Sequence, residues 1–118
     1  MSKLLPADLN AALNALEGDR ELLRRIAQLF VVQTPQLLVE IREALLRGDA
    51  EALERAAHKL RGSVTNFFAT KAHDAALRLE QMGRDNDLTG GAEAQAHLES
   101  ALRELQGTLA EFSKSGDT

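Results

Sequence analysis

Between Arg20 and Arg47 apolar side chains return at steps of three and four: Leu22, Ile26, Leu29, Phe30, Leu37, Leu38, Ile41 and Leu45. Only an α-helix gathers such a spacing onto one side, so a long helix is the element around which this chain must be built. Pro35 falls inside it and is expected to kink that helix or split it in two. The same period continues elsewhere. Leu53, Ala57, Leu60, Val64 and Phe67 share one side of a stretch from about Ala50 to Phe67, and Leu98, Leu102, Leu105, Leu109 and Phe112 line another from about Ala92 to Phe112. Two shorter stretches, about Ala7 to Leu16 and about Thr70 to Met82, complete the set; the second presents Ala72, Ala76, Leu79 and Met82.

With two prolines and eight glycines in 118 residues, little interrupts these helices. The breaks carry turn chemistry. Gly18 with Asp19 closes the first helix, and Gly48 suits a left-handed C-cap while Asp49 can cap the helix that follows. GRDNDLTGG, residues 83–91, is the one long loop. No alternating strand pattern is present, so the expected fold is all-α: an antiparallel four-helix bundle with a short extra N-terminal helix. One domain over 1–118 is expected, with its core over about 8–112 and SKSGDT, residues 113–118, as a frayed tail.

Composition removes several functions. The absence of cysteine excludes disulfides, thiolate nucleophiles and thiolate zinc sites. A net charge of -4 and only four phenylalanines leave neither a basic groove nor a stacking platform for nucleic acid. MSKLLPADL places Pro6 and Asp8 where a signal peptide would need an apolar run, and no apolar run reaches about 18 residues, so a cytoplasmic chain without membrane contact is expected. His58, His73 and His97 form no i, i+4 pair and no His-Glu-x-x-His pattern, which leaves no metal site; His73 and His97 read as surface or border residues. Gly90 and Gly91 are followed by no lysine with serine or threonine, so there is no phosphate loop and no kinase. Arg24 and Arg25 read as solvated face, and Phe67 with Phe68 as core and core edge. No surplus apolar face is obvious once each helix has buried its stripe, and a monomer is expected.

AAHKLRG, residues 56–62, is the stretch that a packed bundle does not require. At 100 degrees per residue, His58 lies about 140 degrees from Leu53 and Gly62 about 180, so both face solvent or its border. A glycine within a helix costs roughly 1 kcal/mol relative to alanine. Placed four residues after an outward histidine, Gly62 leaves a notch through which another molecule can reach the ring. Arg61 and Thr65 follow His58 one and two turns along. At neutral pH an imidazole of ordinary pKa near 6.5 is largely neutral and nucleophilic. Phosphoryl transfer asks mainly for in-line positioning and nearby positive charge, which Arg61 can supply. By position alone Arg61 can also be read as a solvated charge, and Glu80 as a residue facing water.

AAHKLRGSVTNFFA resembles the signature of the histidine-containing phosphotransfer (Hpt) domains of bacterial multistep phosphorelays, and the resemblance runs over about residues 8–112, through ELLRRIAQLF and AALRLEQMGR. It implies that His58 accepts and donates the phosphoryl group, that Arg61 supports the phosphate, that Gly62 is the small residue beside the ring, and that Glu80 can hold the ring's other nitrogen. If Glu80 accepts from Nδ1, Nε2 is the attacking atom. The resemblance further implies a phosphocarrier relaying between receiver-domain aspartates and not a turnover enzyme. No bound cofactor is implied, since magnesium belongs to the receiver. The expected partner is a response-regulator receiver domain docking over Gly62 with Arg61 and Thr65 at the rim, and a hybrid sensor histidine kinase is a further candidate. The alternative is a helical adaptor that binds a receiver without being phosphorylated. One position departs from the family pattern: Phe68 stands where a glycine usually follows the histidine helix, which suggests that Asn66 takes the left-handed conformation there.

Overall fold

Asp8, Asp19 and Asp49 each place a carboxylate over the first free amides of a helix, accepting from Ala11 N, Leu22 N and Ala52 N at 3.0 to 3.1 Å. A computed structural model describes residues 7–115 as α1 (Leu9–Ala15), α2 (Arg20–Arg47), α3 (Ala50–Thr65), α4 (Thr70–Arg84) and α5 (Gly91–Ser115). No strand occurs among the described residues. Gly48 ends α2 in the left-handed region at φ 69°, where a side chain would be strained.

α2 packs on α3, α3 on α4, α4 on α5 and α5 back on α2, which closes a four-helix ring; α1 lies against α2. The Arg20 guanidinium sits 4.6 Å over the Phe112 ring and Leu45 lies against Gly91, so α2 and α5 run antiparallel. The α3 and α5 stripes read from sequence are buried throughout. α3 stops at Thr65, but Phe67 stays fully buried and meets Phe30 edge-to-face at 5.3 Å.

Several expectations need correction. Pro35 does not split α2, which runs unbroken past it. The proline withholds its amide from the Val31 carbonyl, and Val31 is exposed, so water can satisfy that oxygen. Thr34, buried just before the proline, donates its hydroxyl to the Phe30 carbonyl at 2.6 Å. The buried face of α2 is Leu23, Ala27, Phe30, Thr34, Ile41 and Ala44, while Leu22 and Leu29 face outward. The monomer expectation thereby loses its premise, because α2 does carry a surplus apolar face. Asn66 is right-handed and Phe68 takes the left-handed conformation instead, at φ 52°. Asn66 and Phe67 continue the helical turn through bonds to Ser63 and Val64, which seats Phe67 in the core and passes the reversal to Phe68. Ser113 to Ser115, expected in the tail, fall within α5; residues 116–118, like Met1 to Pro6, lie outside the described residues.

Candidate functional site

The site is built across the α3 and α4 pair, the most extensive helix contact in the bundle. Gly83 on α4 makes that contact possible. A Cβ there would stand 2.6 Å from the Ala50 carbonyl oxygen and 2.7 Å from Glu54 N, both backbone atoms that cannot move aside. One turn along α3 from Glu54 is His58, and one turn back along α4 from Gly83 is Glu80. The close approach at glycine thus brings a carboxylate from one helix to an imidazole on the other.

His58 keeps 64% of its side-chain surface exposed, whereas Glu80 keeps 2%. A buried carboxylate must be satisfied by donors, and four contacts from three side chains converge on it. His58 Nδ1 lies 2.9 Å from Oε2, Arg61 Nε donates to Oε1 at 2.5 Å and Arg61 Nη2 to Oε2 at 3.3 Å, and Arg84 Nη2 donates to Oε2 at 3.0 Å. The hydrogen bond from Arg61 outweighs the opposing effect of burial, and with the hydrogen bond from His58 it brings the Glu80 pKa from 4.5 down to about 2. At neutral pH Glu80 is therefore an acceptor only.

That ionised state fixes the tautomer of the ring. Arg61 Nη2 also lies 3.1 Å from His58 Nδ1. Were Nδ1 bare, it could accept from Arg61 but would set its lone pair against a carboxylate at 2.9 Å. With a proton on Nδ1 the ring donates to Glu80, and the approach of Arg61 is a contact and not a hydrogen bond. Nε2 is left with its lone pair and is not tied by Glu80.

The other residues singled out from sequence take their places around the ring. Gly62 is exposed, and a Cβ there would meet nothing within 4 Å, so the surface beside His58 is open. Thr65 is exposed one turn beyond Arg61, where its hydroxyl donates to the Arg61 carbonyl at 2.9 Å; it makes no hydrogen bond to the ring. Glu80 does not face water, although it gives no sign of burial in sequence. Arg84 and Lys59 were not picked out from sequence, yet both line the depression of about 480 Å³ that holds His58, Glu80, Glu54 and Arg55. Arg84 could have been found as the i+4 partner of Glu80; it also reaches Glu54 at 3.4 Å. His73 and His97 stand away from this group, beside Asp74 and Arg78. Among the described residues no cluster of three or more His, Cys, Asp or Glu is arranged to hold a metal ion, and no helix is long and apolar enough to cross a membrane.

The family model for the Hpt domain matches residues 25–108, which takes in most of α2, all of α3 and α4, and α5 as far as Thr108. The chain belongs to the Hpt domain family. Neither the curated proteins nor the solved structures gave a match. Hpt domains are phosphocarriers: they perform histidine phosphotransfer in phosphorelays, where they meet receiver domains and kinases. This Hpt domain holds its outward histidine on the second helix of the matched span, opposite a buried carboxylate on the third.

Proposed function

We propose that His58 accepts a phosphoryl group from the aspartate of a response-regulator receiver domain and passes it to the aspartate of another. One observation carries the reading: a solvent-exposed imidazole whose Nδ1 is held by a buried carboxylate, so that Nε2 is the free nucleophile. In the transfer the Nε2 lone pair forms the N–P bond while the aspartyl O–P bond breaks, returning a carboxylate to the receiver. The ring keeps its Nδ1 proton and gains positive charge, which develops beside Glu80. Reversal of the same step hands the group on. Arg61 and Arg84 neutralise Glu80, so the incoming phosphoryl dianion does not meet an uncompensated carboxylate. Lys59, which forms no ion pair among the described residues, stands on the rim of the same depression as an available point charge. Gly62 leaves room for the partner, and Thr65 lies on the same outward face.

The test is to mix the protein with an aspartyl-phosphorylated receiver domain and measure intact mass. One phosphoryl group should be gained, labile in acid and stable in base, and absent from His58→Gln. A receiver that binds without any gain in mass would refute the carrier and favour the adaptor. A gain that persists in His58→Gln would move the acceptor to another residue.

A further inference from the structure

α2 has two apolar faces, and the bundle uses one. Leu23, Phe30, Leu37 and Ala44, with Ala27, Thr34 and Ile41, turn inward at steps of seven. Roughly 150 degrees around the helix a second set repeats at the same step: Leu22 and Leu29, then Val32, Val39 and Leu46 three residues out of phase. These are the a and d positions of a coiled-coil seam, completed by Arg25, Gln36 and Glu43. All are exposed; Leu29 keeps 59% of its surface, Val32 75% and Leu46 81%. Nothing in the bundle requires leucine or valine there, and a seam running the length of a 28-residue helix is more than scattered surface apolarity.

The charges along the seam indicate what covers it. We propose that α2 pairs with α2 of a second copy of this chain, antiparallel about a two-fold axis near Thr34. In that register Leu22 meets the second copy's Leu46, Leu29 meets its Val39, Val32 meets its Gln36, and Arg25 meets its Glu43. A parallel pair in register would instead set Arg25 against Arg25 and Glu43 against Glu43, so the pattern is complementary in one direction only. In the isolated chain Arg25 and Glu43 have only long, exposed partners one turn away, Glu21 at 3.7 Å and Arg47 at 3.8 Å, which a pair across the axis can replace. The apolar surface continues from Val32 and Pro35 into a groove of about 560 Å³ walled by Ala27 and Val31 of α2 and by Leu109 and Ala110 of α5. α2 spans about 42 Å. A strip of that length and one helix wide is smaller than the ~800 Å² per partner of a standard stable interface, so the dimer belongs to the weak, concentration-dependent class.

Sedimentation of the 12.8 kDa chain from about 5 μM to about 500 μM tests this. The weight-average mass should rise toward twice the monomer. Val32→Glu should stay monomeric throughout, with its helical circular dichroism and its phosphorylation at His58 unchanged. Arg25→Glu should weaken association about tenfold, and adding Glu43→Arg to it should restore the wild-type constant to within about threefold. A wild-type chain that stays monomeric to the top of the range overturns the proposal, as does a dimer that survives Val32→Glu. If the chain is monomeric alone but Val32→Glu loses affinity for a receiver domain, the face belongs to that partner and the second-copy proposal is wrong.

Discussion

Replacing Glu80 with glutamine keeps its shape and removes its charge, and the structure fixes what this should cost. A carboxyl brought from 4.5 to about 2 is favoured in its ionised form by about 3 kcal/mol, at 1.36 kcal/mol per tenfold in acidity. Glu80 is buried, but His58 and Arg84 keep 64% and 54% of their side chains in solvent. Screening at that edge trims the figure to about 2 kcal/mol. Because the folded pKa lies below the unfolded one, this stability is fully present above about pH 5 and is lost as the pH falls toward 2. Glu80→Gln should therefore lower the urea midpoint at pH 7 by about 1 to 1.5 M, for a slope near 1.5 kcal/mol/M, while leaving the chain folded. At pH 3 less than half of the gap should remain, and at pH 2 little of it. Urea titrations of both proteins from pH 7 to pH 2 measure this. A gap that does not shrink with acid would mean that packing and not charge holds Glu80 in place.

Three other substitutions probe the geometry around the ring. Gly62→Ala meets open space and gains helix propensity, so it should raise stability by about 0.5 to 1 kcal/mol and the melting temperature by about 3 to 6 °C, while filling the notch and slowing phosphoryl transfer from the receiver. Gly83→Ala should do the reverse, costing about 1 to 3 kcal/mol in thermal or urea unfolding, since its methyl group would press on the backbone of Ala50 and Glu54 and part α3 from α4. Arg84→Ala should slow phosphotransfer about three- to tenfold in single-turnover assays, with helix content unchanged, because it leaves Glu80 less neutralised beside the incoming phosphate; an unaltered rate would confine Arg84 to a structural part.

The parts of this protein legible in sequence are those set by interactions within a few residues. Asp19, Asp49 and Gly48 cap helices through atoms three or four positions away, and the stripes of α3 and α5 follow from the pitch of one helix, so each can be read without knowing the neighbours. His58 and Gly62 are legible as outward residues for the same reason. α2 is different, because it carries apolar residues on two faces; only the packing of α3 and α5 against it decides that Leu23 is inside and Leu22 outside. Glu80 looks like any surface glutamate until α3 is laid beside α4. Its burial, its three cationic or donor partners and the resulting tautomer of His58 exist only because Gly83 lets two backbones touch, a contact between residues about 30 positions apart. Phe68 marks the same divide: the sequence shows that a turn must come after α3, but the need to seat Phe67 against Phe30 decides which residue bends.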